Sequence, residues 1–165
     1  MTRGRDPIFR SFLERQYEDG NEFTETSKRV ELVPLHGSPP SRYLVRFDAK
    51  GLVRHGASEP QEATSFTMGL YFHDGYLRRT NPGRVLTWLS PVEVFHPNIA
   101  APFICIGPVA PGTGLVDLLY RVYEVITFHN VSPREDDALN RAACAWARQN
   151  RRLFPLDRRP FKSLT

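Results

Sequence analysis

One cysteine, Cys105, stands seven residues after Asn98 in the stretch that begins Phe95-His96-Pro97-Asn98-Ile99. The proline and asparagine favour a tight, stiffened turn, which brings a thiol and a side-chain amide together. That pairing points to acyl chemistry at sulfur. A thiolate is a strong nucleophile and, with an unperturbed pKa of about 8.5, a competent leaving group near neutral pH. His96 is the first residue to suggest a general base, yet a histidine beside proline in a tight turn more often bonds backbone than moves protons. Cys144 lies among Ala142, Ala143, Ala145 and Ala147 on a helical pattern that demands small side chains, so it reads as an inert core thiol. His55, His73 and His129 have no partners at metal-ligand spacing, which gives no zinc site and no cofactor. Ser90 and Ser132 precede prolines and read as turn residues.

The elements that must position this chemistry fit one domain, expected over residues 1–150 with a basic tail at 151–165. The 165 residues, 41% hydrophobic and 12% aromatic, suffice for one core. The 22 basic and 18 acidic residues leave a charge of +4. Basic side chains crowd both ends: Arg3, Arg5, Arg10 and Arg15 at one, Arg148, Arg151, Arg152, Arg158, Arg159 and Lys162 at the other. No aromatic-interleaved basic motif accompanies them, so solvated faces or an acidic protein partner are favoured over nucleic acid. Two cysteines give no disulfide framework, no secretory pattern opens the chain, and no apolar run approaches the roughly 20 residues of a membrane helix. The expected setting is a reducing cytoplasm, away from membranes.

Asp6-Pro7 predicts a helix start, and Phe9, Phe12, Leu13 and Tyr17 predict a buried stripe on a helix over about 8–19; Gly20-Asn21 weakens it, with Glu22 to Ser27 a possible continuation. Strands are expected at Val30 to Leu35, Arg42 to Phe47, Glu62 to Phe72 and Arg84 to Leu89, with Lys50 to Gln61 a hairpin loop. The alternation of Thr64, Phe66, Met68, Leu70 and Phe72 with Ser65, Thr67, Gly69 and Tyr71 is the clearest period-2 signal. Short connections without intervening helices argue for an antiparallel meander. Leu115, Leu118, Leu119, Val122, Val125 and Ile126 form the strongest helical stripe, with Thr113 as its expected cap. A last helix should bury Leu139, Ala142, Ala143 and Trp146. The tail reads as irregular, with Phe154, Leu156 and Phe161 available to pin it to the core.

This α+β order, together with Tyr71-Phe72-His73-Asp74-Gly75-Tyr76, His96-Pro97-Asn98-Ile99, Cys105 and Asp136-Asp137-Ala138-Leu139, resembles the ubiquitin-conjugating enzyme family over most of the chain. The resemblance implies that family's fold: an N-terminal helix, a four-stranded antiparallel meander, an active-site loop and two C-terminal helices. It implies that Cys105 accepts the C-terminal glycyl group of a ubiquitin-like protein from an activating enzyme, as a thioester, for attack by an amine of a protein substrate. Asn98 would donate to the tetrahedral oxyanion or hold the loop, and His96 would structure it. Asp137 matches the position where the family places a carboxylate beside the cysteine to orient or deprotonate the incoming lysine, whose pKa starts near 10.4. Asp137 as N-cap of the last helix is the competing reading, and Asp136 could serve in either.

The chain departs from the family pattern where Gly107-Pro108-Val109-Ala110-Pro111-Gly112 replaces Trp-Ser-Pro, so recognition by a RING-type ligase is not carried over. Cys-Ile-Gly, the arginine-rich ends and Leu139-Asn140-Arg141-Ala142-Ala143 are more similar to standalone bacterial relatives from anti-phage defence operons. Some of those conjugate a ubiquitin-like protein and others the C-terminus of a cGAS-like cyclase. Two alternatives stand beside this reading: a noncatalytic module of the same fold that binds ubiquitin-like proteins, and an RWD-like interaction domain with an inert Cys105.

Overall fold

The computed structural model describes residues 6–132 and 134–162. Asp6 accepts a hydrogen bond from the Ile8 N–H at 2.9 Å and starts helix α1, Pro7–Thr26. The helix runs past the expected end near residue 19 because Gly20 faces inward. A Cβ there would meet Leu115 Cδ2 at 2.7 Å and Leu32 Cδ1 at 3.1 Å, so glycine permits a close approach that outweighs its weak helix propensity. The buried stripe is Phe9, Leu13, Gln16, Gly20 and Phe23, while the expected Tyr17 points outward.

Four strands follow: β1 (Val30–Leu35), β2 (Arg42–Val53), β3 (Gln61–Tyr71) and β4 (Leu86–Ser90), antiparallel in the order β1-β2-β3-β4. A single helical turn, α2 (Pro82–Val85), takes up the expected start of β4. On the inner face Tyr43 pairs with Leu70, Val45 with Met68 and Phe47 with Phe66, all buried, as the alternation predicts. Strand β2 is twice as long as expected. A bulge between Asp48 and Gly51 breaks its alternation, after which it continues to Val53. Gly51 is required there: a Cβ would lie 2.6 Å from Phe66 Cζ and 3.0 Å from the Ile126 carbonyl.

A two-stranded hairpin, β5 (Ile99–Ala100) and β6 (Phe103–Ile104), leads to helix α3 (Leu115–Ile126). Its stripe is buried against the inner sheet face and α1. Thr113 is not its cap: the Thr113 hydroxyl donates to the Ala110 carbonyl, and Gly114 occupies the cap position without a side chain. The orphan Leu115 N–H instead donates to Gln16 Oε1 of α1 at 2.7 Å. A polar residue on the buried stripe of one helix thus caps another.

Helix α4 (Arg141–Gln149) buries Ala143, Cys144 and Ala147. Leu139 precedes it and Ala142 faces solvent, contrary to the expected face. Beyond a 3₁₀ turn at Arg151–Leu153 the tail returns to the body. Phe161 enters the main core among Tyr123, Tyr120 and Phe23, with ring centroids at 4.4, 4.9 and 5.1 Å. Phe154 packs on Phe128 at 4.9 Å, and Leu156 stays 36% exposed.

Asp157, only 3% exposed, fastens the tail to the bulge: its carboxylate accepts from the Lys50 N–H at 3.0 Å and from the Arg159 guanidinium at 2.7 Å. The Lys50 donor is one the interrupted ladder leaves without a strand partner. Burial pushes the Asp157 pKa up, but donation by Arg159 and the Lys50 N–H more than offsets it and holds the carboxyl near 2. A carboxyl depressed in the folded state contributes stability above its ordinary value of 3.8 and loses it as the pH falls toward 2. The contribution is roughly 2 kcal/mol. In urea unfolding followed from pH 5 to about 2, Asp157→Asn is expected to be less stable at the top of that range and to lose less of its midpoint than the wild type. Equal acid slopes would show that Asp157 does not carry this effect.

Among the described residues no helix is long and apolar enough to cross a membrane.

Candidate active site

The extension of β2 is what seats the motif. Past the bulge, the Phe95 N–H donates to the Leu52 carbonyl at 2.8 Å and the Arg54 N–H to the Glu93 carbonyl at 2.9 Å, with Val53 bridged to Val94. Phe95 therefore enters a small second core with Leu52, Phe128 and Ala143, joined by half-buried Trp146 and Phe154. Phe128 holds a left-handed φ of 64° just after α3. Such a conformation is uncommon for an aromatic residue, and here the ring's packing between His96, Trp146 and Phe154 maintains it.

His96 is 1% exposed and lies with its ring edge-on to Phe128 at 4.3 Å. Its Nδ1 accepts the Asn98 N–H at 2.9 Å, which leaves the proton of the neutral ring on Nε2. Among the described residues Nε2 makes no well-formed hydrogen bond, although the nearby Asn130 backbone favours the charged form. Burial dominates and drives the pKa down to about 3. A buried imidazole that stays neutral and already accepts a backbone hydrogen bond supports the turn and has no free lone pair for a proton.

Asn98 is 4% exposed, and its backbone and side chain both make hydrogen bonds. Its Nδ2 donates to the Cys105 carbonyl at 3.1 Å, its carbonyl accepts the Cys105 N–H at 2.9 Å, and its Oδ1 accepts the Ser132 N–H at 2.8 Å. One amide hydrogen is committed to the loop and the second remains for another acceptor. The two roles expected of Asn98 are therefore compatible.

Cys105 follows β6 and is exposed, while Cys144 is buried, its thiol 3.5 Å from the Ser132 carbonyl. Cys105 lines none of five surface clefts of about 290 to 440 Å³ and is exposed. Native protein is expected to titrate one thiol with a colorimetric disulfide reagent and the second only in denaturant. Cys105→Ser should abolish the native signal, and a fast-reacting second thiol would contradict the buried assignment.

Asp136 and Asp137 are exposed in a 3₁₀ turn, Glu135–Asp137, and no hydrogen bond joins either carboxylate to Cys105. The turn is nevertheless tethered to the motif at both ends, by Ser132 on Asn98 and by the Asn140 N–H on the Pro97 carbonyl at 3.1 Å. Asp137 does not cap α4. The 3₁₀ turn ends before the helix begins, and Asn140 is the cap, its Oδ1 accepting the Ala143 N–H at 3.0 Å. Asn140 and Ser132 are the positioning residues that sequence reading missed. An asparagine directly before Arg141-Ala142-Ala143 is a cap signature that could have revealed the first; the Ser132 backbone contact left no sequence signal.

Among the described residues no group of three His, Cys, Asp or Glu side chains is placed to hold a metal ion. The chain matches no model of a known protein family and no curated protein.

Proposed function

We propose that this chain is a ubiquitin-conjugating-like transferase. It carries the C-terminal acyl group of a ubiquitin-like protein, or of a cGAS-like cyclase, on Cys105 and passes it to an amine, in a bacterial anti-phage system. The observation that carries the reading is an exposed thiol whose backbone is held on both sides by one buried asparagine, Asn98. The element order supports a ubiquitin-conjugating-like fold: one helix, a four-strand meander, the motif loop and two helices. An open setting suits an acyl group borne by a macromolecule better than a small substrate, which would be enclosed.

In the first step the Cys105 thiolate attacks the thioester carbonyl presented by the activating enzyme; a new C–S bond forms and that enzyme's thiolate leaves. In the second an amine attacks, a C–N bond forms, and the Cys105 thiolate departs and regains a proton. The amine's proton passes to Asp136, Asp137 or water. Both steps place negative charge on the carbonyl oxygen, which the uncommitted Asn98 N–H can meet.

The test incubates the protein with an activating enzyme, nucleotide and modifiers encoded by neighbouring genes. An adduct abolished by dithiothreitol and never formed by Cys105→Ala is the expected result. If no modifier gives a reducible adduct with folded protein, the catalytic reading fails and a noncatalytic module replaces it.

A further inference from the structure

Behind the motif loop, α4 and the tail enclose a cleft of about 430 Å³ whose walls include Val131, Phe154 and Leu156 and whose lining includes Ala147 and Cys144. Its described lining contains no aspartate or glutamate and includes Arg151, which is exposed and makes no ion pair among the described residues. Arg152 and Arg158 lie exposed on the same tail segment, equally without acidic partners among the described residues, and Leu153 beside them is 61% exposed. The apolar side chains of Val131, Phe154 and Leu156, set among polar ones such as His129 and Ser132 and flanked by the guanidinium groups of Arg151, Arg152 and Arg158, suit a ligand that brings aliphatic side chains and carboxylates together.

We propose that this cleft docks an acidic, aliphatic-bearing segment of a partner protein, and that occupation is transmitted to Asn98. Aliphatic side chains fill the cleft and glutamates or aspartates pair with Arg151 and its neighbours. Nucleic acid fits less well. The Phe154 ring stacks on Trp146 at 6.2 Å and 29° and also meets Phe128, so it is not a free platform for a base. The link to the motif is short. Ser132 lines the cleft, and the Cys144 thiol below it donates to the Ser132 carbonyl. The Ser132 N–H holds Asn98 Oδ1, and Asn98 Nδ2 holds the Cys105 carbonyl. A segment pressing on the cleft wall therefore acts two hydrogen bonds from the Cys105 backbone. The groove does not rest on the thioester reading, because docking is read with Cys105 present or replaced.

The experiment uses the full chain, its Cys105→Ser variant, and a fluorescein-labelled peptide of repeated Glu-Leu-Asp-Ile units, with the Gln/Asn analogue as control. Anisotropy is expected to show saturable binding of the acidic peptide. The analogue, Arg151→Glu and Leu156→Asp should each weaken it by about tenfold or more, the loss of one well-placed contact, and Arg79→Glu outside the groove should not. Both groove substitutions fall on exposed positions, and unchanged thermal melts verify folding. In ¹⁵N spectra the Ser132 backbone amide and the Asn98 side-chain amide should shift on saturation, equally in the Cys105→Ser protein. The proposal is overturned by absence of binding up to millimolar peptide, or by binding indifferent to both groove substitutions. It is equally overturned by an oligouridylate of matched charge binding more tightly at the same residues, by self-association of the chain that Arg151→Glu dissolves, or by unshifted Ser132 and Asn98 signals.

Discussion

Asn98→Ala is expected to slow the proposed transfer from a Cys105 thioester by roughly 10²–10³, the loss that follows removal of one oxyanion donor. The structure adds a second consequence. The substitution leaves the Ser132 N–H and the Cys105 carbonyl without their partner in a site that is only 4% exposed at Asn98. A stranded polar group costs about 1–3 kcal/mol when water cannot replace the bond, so the melting temperature should fall as well. Asn98→Asp separates the contributions. It keeps an oxygen for Ser132 but sets a carboxylate against the Cys105 carbonyl, so it should lose transfer at least as severely as alanine. Single-turnover discharge of a preformed adduct, with a thermal melt of each variant, makes the comparison. Wild-type discharge by Asn98→Ala would remove Asn98 from the chemistry and leave it a structural role.

Phe161→Ala is expected to cost about 3–5 kcal/mol of folding stability, the range for truncating a buried phenylalanine, and to lower the melting temperature by roughly 6–20 °C. The residue is 5% exposed and stacks within 19° of parallel on Tyr123. It also meets Tyr120, Phe23 and Phe47, and its carbonyl accepts from the Ser27 hydroxyl. Its removal leaves a cavity bounded by elements from three separate parts of the chain, which cannot all collapse inward. Phe161→Leu should recover part of the loss, because it refills volume without restoring the stacking. Urea titration reads both variants, and an unchanged midpoint for Phe161→Ala would mean that the tail does not complete the core.

Alternation in β3 from Phe66 onward and the stripe of α3 were legible because each buries one face there, and burial imposes its period on the residue order; Thr64, expected on the same inner face, is exposed near the end of the strand. The full length of β2 was not. Its bulge sets Ala49 and Lys50 against Thr64 alone, between the paired residues Asp48 and Gly51, and from Gly51 on Leu52 and Val53 are buried with it, so period two is lost where the strand turns to receive Phe95. Gln16 as the cap of α3 was equally hidden, since a helix end was met by a residue 99 positions away. At the site, the motif and Cys105 were visible from local turn chemistry. The bonds from Ser132 to Asn98 and from Asn140 to Pro97 arise only when α4 packs behind the motif, and that packing depends on small residues that carry no chemical signature.

The tail contacts of Asp157, Arg159 and Phe161 reach partners 107, 111 and 134 residues earlier. The entropy of closing such long loops grows only slowly with length, so these contacts stabilise the finished protein at modest additional cost. Their kinetic effect is different, because folding slows as the mean sequence separation of contacts rises. A chain whose meander and α3 have already formed still presents Phe23, Phe47, Tyr120 and Tyr123 to water until Phe161 arrives. The tail's docking thus sets the interval during which a half-built molecule displays an aromatic surface that other unfinished chains could occupy.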